Sequence, residues 1–219
     1  GNTDVFMLPP DEKGIETGHV NKFIFASSNA AVGEQNPPIT ENAIPAPLSP
    51  YGASKLACEA FCSAFSESYN IQTISLRFAN AYGPFSNHKE SVVAKFFRKA
   101  LKNEPITIYG DGNQTRDFIY VDDICHAILL AIENDLATGV FQIGTGIETK
   151  IIVLAEQIKE ISNSNSQITF APPRKGEIIR NYSGISKAKK ILGFKPRIDL
   201  KTGLTKTYDW FINGCQWME

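Results

Sequence analysis

Tyr51 and Lys55 stand four residues apart in Tyr51-Gly52-Ala53-Ser54-Lys55, at the start of a helically spaced segment. That separation puts both side chains on one face of a helix, where an ammonium beside a phenol favours the phenolate and makes a general base. Upstream, Ser27 and Ser28 end the apolar run Phe23-Ile24-Phe25-Ala26. A hydroxyl there could hydrogen-bond the oxygen at which such a base works. Tyr-x-x-x-Lys alone equally describes an amphipathic face with a snorkelling lysine, and strand-end serines are common loop formers.

Other chemistries find less support. Cys58, Cys62, Cys125 and Cys215 show no Cys-x-x-Cys spacing, and His19, His88 and His126 are scattered. Neither a zinc site nor a histidine-based triad follows, and Cys58 and Cys62 read as buried thiols on a helix face. Twenty-two Lys plus Arg against 23 Asp plus Glu give a net charge of −1, so no overall attraction to nucleic acid or anionic membrane exists. The 42% hydrophobic and 21% charged composition is that of a globular chain. No apolar run reaches the roughly 18–20 residues of a membrane helix and residues 1–19 do not resemble a signal peptide, which predicts a cytoplasmic protein.

The elements that must position Ser28, Tyr51 and Lys55 follow from periodicity. Residues 1–20 read as a polar tail. Phe23–Ser27 has the near-continuous apolar pattern of a buried parallel strand. From Tyr51, the residues Leu56, Ala57, Ala60, Phe61, Ala64 and Phe65 recur at three and four until Asn70. Strand 73–78, helix 91–102, strands 106–109 and 118–121, helix 122–134, strand 140–143, helix 151–161, strand 167–170 and a helix near 200–213 complete the series. Strands alternating with helices predict an α/β architecture with a parallel sheet, whose ligands lie beyond the carboxyl ends of the strands, here after Ala26, Phe78 and Ile143.

Six segments in order give the chain a wider resemblance: Phe23 to Gly33; Ser49-Pro50-Tyr51-Gly52-Ala53-Ser54-Lys55; Leu76-Arg77-Phe78-Ala79-Asn80-Ala81-Tyr82-Gly83-Pro84; Ile106 to Gly112 followed by Thr115-Arg116-Asp117-Phe118; Phe141 to Gly146; and Arg174-Lys175-Gly176-Glu177. From about residue 22 to 213 the chain resembles the extended short-chain dehydrogenase/reductases, in particular the nucleotide-sugar epimerases and dehydratases of UDP-glucose 4-epimerase type. The resemblance implies an incomplete Rossmann-type parallel sheet with a smaller C-terminal α/β substrate-binding domain. Residues 21–84 are then the remainder of the Rossmann domain and 85–219 mainly the substrate domain, with 118–143 returning to the sheet.

It also implies roles. Ser28, Tyr51 and Lys55 are catalytic; Ser27, Tyr51, Lys55 and Phe78 face NAD; Asn80, Ser91, Val92, Thr107, Tyr109, Arg116, Arg174 and Glu177 face the nucleotide sugar. Arg116 and Arg174 offer planar donor forks that suit two phosphates, which a nearly neutral chain must bind locally. Tyr109 offers an aromatic face to a base, and Glu177 an acceptor for ribose hydroxyls. The implied activity is an isomerase: NAD-dependent 4-epimerisation of a UDP-sugar through a tyrosine base and a transient 4-keto sugar, a step in polysaccharide biosynthesis. Asn29-Ala30-Ala31 follows Ser28 where dehydratases carry acids, and Val32 stands where many relatives have tyrosine. The alternatives are a non-catalytic binder of nucleotide sugars or partner proteins, and a nucleotide-sugar dehydratase or reductase.

None of the sixteen glycines forms the Gly-x-x-Gly-x-x-Gly turn that brings backbone against a pyrophosphate. The family carries that turn in βα units upstream of the serine strand, for which these residues have no counterpart, a shortfall of about a hundred residues by ordinary βα-unit sizes. The chain by itself is therefore expected to be inactive. Its implied partners are a UDP-sugar and a second copy docked through helix 51–68, with no nucleic acid, membrane or metal.

Overall fold

The computed structural model describes residues 20–174, 176 and 178–214; the tail before Val20, Lys175, Glu177 and Cys215 lie outside the described residues. In chain order the elements are β1 (Lys22–Ser28), a 3-10 turn (Asn29–Ala31), α1 (Pro50–Tyr69), β2 (Gln72–Phe78), β3 (Asn80–Tyr82), α2 (Val92–Leu101), β4 (Ile106–Tyr109), β5 (Thr115–Arg116), β6 (Phe118–Tyr120), α3 (Val121–Glu133), β7 (Gly139–Ile143), β8 (Thr149–Lys150), α4 (Ile151–Ile161), β9 (Ile168–Ala171), a π-helical segment (Ala188–Leu192) and α5 (Leu200–Asn213).

β1, β2 and β7 form a parallel sheet in that order. β2 lies between the others and buries five consecutive residues, Thr73 to Arg77, as a central parallel strand must. Within 118–143, β7 pairs with β2, whereas β6 pairs with β3. β4 pairs with β9 in parallel and β5 with β8 antiparallel. Two apolar cores result. One gathers Ile74, Leu76, Ile119, Phe141, Ile143 and Phe194 with Ala127 and Ala131 of α3. The other joins Phe97 of α2, Leu154 and Ile158 of α4, Leu204 and Phe211 of α5, and Ile106 and Ile108 of β4. Full burial of Phe97, Phe141 and Phe194 contributes about 1.5–3 kcal/mol each.

The outer edge of β7 is closed by side chains: the Gln142 backbone amide donates to Glu41 Oε1 (2.8 Å), and Lys187 Nζ donates to the Val140 carbonyl (2.6 Å) from above the Phe141 ring. Burial pushes the Lys187 ammonium below its usual range.

Local chemistry sets the ends of α1. The Ser49 side chain accepts from the Gly52 amide (3.0 Å), Pro50 occupies the first turn, and Asn70 ends the helix in the left-handed conformation at φ 54°. The face that α1 buries is not its apolar stripe. Gly52, Glu59 and Cys62 point inward, while Ala57, Ala60, Phe61 and Ala64 are exposed. The helix meets β1 and β2 through polar contacts, among them Thr73 Oγ1 to the Cys62 carbonyl (2.9 Å), so the apolar stripe lies outward. Cys62 is buried and Cys58 half-buried, both as free thiols; Cys125 is free and exposed.

Candidate nucleotide-sugar site

A cavity of about 490 Å³ opens at the carboxyl ends of β1 and β2 and is walled by α2, β4 and β5. Every residue that the sequence nominated, apart from Lys55 and Glu177, lines it: Ser27, Ser28, Tyr51, Phe78, Asn80, Ser91, Val92, Thr107, Tyr109, Arg116 and Arg174. Glu177 falls outside the described residues.

Ser28 closes β1 and turns the chain into the 3-10 segment, its Oγ accepting from the Ala30 amide (3.2 Å). A Cβ on Gly52 would lie 2.2 Å from the Ala30 carbonyl oxygen, so only glycine lets the first turn of α1 press against this segment. That contact brings Tyr51 to the same cavity as Ser28. Tyr51 is 48% exposed in the first turn of α1. Lys55 sits behind it: Nζ donates to the Ala26 carbonyl (3.0 Å) and lies 5.6 Å from the centre of the Tyr51 ring. Ser27 is buried, and its hydroxyl donates to Glu59 Oε1 (2.5 Å), so it lines the cavity with its proton already committed.

Asp117 fixes the strand ends around the opposite wall. It is fully buried; Oδ1 accepts from the Thr145 amide (2.9 Å) and hydroxyl (2.5 Å), and Oδ2 from the amides of Gly146 (3.1 Å) and Ser183 (3.2 Å). A Cβ on Gly144 would meet Asp117 Oδ2 at 2.3 Å, which explains glycine there. The Asp117 carbonyl takes the Asn80 amide (2.9 Å), setting the backbone from which Asn80 faces the cavity.

Arg116 is anchored through Nη1 to the carbonyls of Thr115 (2.7 Å) and Ile178 (2.8 Å). The 178–180 segment is itself held to β5: Glu148 accepts two bonds from Arg180 (2.7 and 2.8 Å) and one from the Thr115 hydroxyl (2.7 Å). The Arg180 guanidinium and then the Thr115 hydroxyl bring the Glu148 carboxyl down to about 2. The Arg174 guanidinium stacks on Tyr109, 3.9 Å from the ring centre. Tyr109, Gln114 and Arg174 also line a neighbouring open cavity of about 900 Å³ that runs over Phe170 and Ile179, so they mark one end of the site.

Sequence reasoning missed Glu90, Lys95 and Gln114, all of which line the cavity. Lys95 lies one helical turn beyond Ser91, so the face already named on α2 held the signal. Its Nζ is 2.8 Å from Glu90 Oε2 and holds that carboxyl below the usual range. Glu90 is the one carboxylate among the described residues lining the cavity; Asn29, beside Ser28, is buried and donates to Ser183 Oγ (2.9 Å).

Known proteins share this fold. The chain is 41% identical over 199 residues to a putative UDP-glucose 4-epimerase of Methanocaldococcus jannaschii, covering 89% of this chain and 64% of the relative. The crystal structure of UDP-glucose 4-epimerase with UDP-glucose from Thermotoga maritima superposes with a TM-score of 0.87 at 39% identity, over 93% of this chain and 67% of that one. UDP-glucuronic acid 4-epimerase from Bacillus cereus, in complex with UDP-glucuronic acid and NAD, gives 0.85 at 30% identity, over 91% and 64%. The chain spans about three fifths of the length of the curated relatives it matches. Residues 13–144, more than half the chain, match the family profile itself. With the parallel sheet and the sequence of motifs around one cavity, this places the chain in the NAD dependent epimerase/dehydratase family.

Proposed function

We propose that this chain carries the sugar-nucleotide site and the proton-transfer residues of a UDP-hexose 4-epimerase. The observation that carries the reading is that one cavity holds Ser28 and Tyr51 together with Arg116, Arg174 and Tyr109. Two arginine forks suit a diphosphate, and the aromatic ring at that end suits a base. The sugar then reaches the strand ends of β1 and β2. The related structures bound to UDP-glucose and UDP-glucuronic acid support this assignment.

In this reading Tyr51, in the first turn of α1, is the base that accepts the proton of the sugar hydroxyl and later returns it. Ser28 donates a hydrogen bond to the same oxygen. Lys55 supplies positive charge behind the Tyr51 ring. Inversion requires the hexose to turn between proton removal and return while Arg116 and Arg174 keep the diphosphate clamped. The lack of an acid beside Ser28 among the described residues favours epimerisation over dehydration, since Asn29 is tied to Ser183 and Glu90 to Lys95.

NAD, when bound, supplies the hydride acceptor and donor that interconverts alcohol and ketone. The residues of this chain that fit it are Tyr51 and Lys55, paired across one face of α1, and Phe78, the register partner of Ser28 at the end of β2. Its pyrophosphate needs glycines at a strand-to-helix turn. Gly110 and Gly112 instead join β4 to β5, and Gly144 and Gly146 join β7 to β8, so the described residues fit only the nicotinamide half. A homodimer through α1 belongs to the same reading, supported by the outward Ala57, Ala60, Phe61 and Ala64 stripe. Calorimetric titration with UDP-glucose tests the proposal: saturable binding is expected, and its absence refutes the assignment of the cavity.

A further inference from the structure

The most deeply buried ion pair among the described residues joins Glu59 and Arg77, each with a side chain only 4% exposed. Arg77 Nε donates to Glu59 Oε1 (2.8 Å) and Nη2 to Oε2 (2.7 Å), a bidentate pair, and the Ser27 hydroxyl adds a third bond to Oε1 (2.5 Å). Ser27, Arg77 and Gln142 are register partners across β1, β2 and β7. They form a buried polar rung directly behind Ser28 and Phe78, the rung that lines the cavity. Glu59 comes from α1, eight residues beyond Tyr51, which is about 12 Å along the helix axis.

Such a pair does little for stability. Desolvating two charges offsets most of their attraction, and well-packed apolar side chains of similar volume commonly do as well or better. Here the cost is raised further, because Arg77 Nη1 and both side-chain amide atoms of Gln142 are buried without a partner. The pair does supply geometry, since a bidentate fork has one register and one distance. We infer that Glu59 is a positioning residue: through Arg77 and Ser27 it fixes how α1 lies on β1 and β2, and so the placement of Tyr51 against Ser28. This rests on the reading of the cavity as a UDP-hexose site.

The apolar exchange Glu59→Met with Arg77→Met separates positioning from stability. The double variant is expected to melt within about 4 °C of the parent chain. Its affinity for UDP-glucose is expected to fall about tenfold while that for UDP stays within about twofold, because only the hexose meets Ser28 and Tyr51. A folded double variant that binds UDP-glucose like the parent overturns the inference, as does an equal loss for UDP and UDP-glucose. Should the double variant not fold, Glu59→Asp decides: it keeps the charges and withdraws the carboxylate by one methylene, and a folded Glu59→Asp chain with unaltered UDP-glucose affinity also overturns it. A parent chain that binds neither ligand removes the reading of the cavity itself, and the positioning role with it.

Discussion

Asp117→Ala is expected to be among the most damaging single changes near the site that leave the ligand contacts themselves in place. The carboxylate is fully buried and is held by three amides and a hydroxyl. Truncation removes four charge-assisted bonds at once. The Ser183 amide is then left buried without an acceptor, whereas Thr145 and Gly146 are accessible enough for water to restore part of theirs. Taken with ordinary values for bonds to charged groups, the loss comes to about 3–5 kcal/mol. In a chain of this size that lowers the melting temperature by about 6–20 °C. Urea unfolding followed by circular dichroism measures it, with the slope compared to confirm that the same surface is exposed. UDP affinity is expected to fall as well, since the Asp117 backbone sets Asn80 and precedes the β6 strand next to Arg116. A destabilisation below about 1 kcal/mol would refute the view that this carboxylate holds the strand ends together.

Two other outcomes follow from the same structure. The Glu148 carboxyl, normally near 4.5, is drawn down to about 2 by Arg180 and Thr115. A depressed acid stabilises the fold above its ordinary value and loses that contribution as pH falls from about 4.5 toward 2, so the acid limb of a melting-temperature profile is expected to be shallower in Glu148→Gln; identical limbs would contradict it. For the cofactor, the chain has Tyr51 and Lys55 but no Gly-x-x-Gly-x-x-Gly turn, and calorimetry is expected to find NAD binding weaker than about 1 mM; micromolar binding would mean that another segment cradles the pyrophosphate.

The parts of the site legible in the sequence were those fixed by local chemistry. Ser28 and Tyr51 announce themselves because a strand end and a helix start impose residue types, and the order of motifs carried Arg116, Arg174 and Tyr109 onto the same cavity. Helices 151–161 and 200–213 were readable because their apolar period runs for three turns or more. The strands Thr115–Arg116 and Thr149–Lys150 are too short to have a period, and the π-helical turn at Ala188–Leu192 has no pattern of its own. The inward face of α1 was only partly legible, through Cys62, for a different reason. Periodicity locates an apolar stripe but not what covers it, and here tertiary contacts selected Glu59 and Cys62 for burial. Lys95 and Glu90 were overlooked because an ion pair at the start of a helix looks the same in sequence whether it faces solvent or a cavity.

The most direct test is a calorimetric titration of the chain and of Arg116→Ala with UDP-glucose at two salt concentrations. Arg116 is anchored on Thr115 and Ile178 at the cavity wall, so removing its fork is expected to weaken binding by about 10- to 100-fold, the value of a charge-assisted contact to phosphate, and to reduce the salt dependence. Equal affinities for the two chains, with Arg116→Ala folded, would contradict the placement of the diphosphate in this cavity.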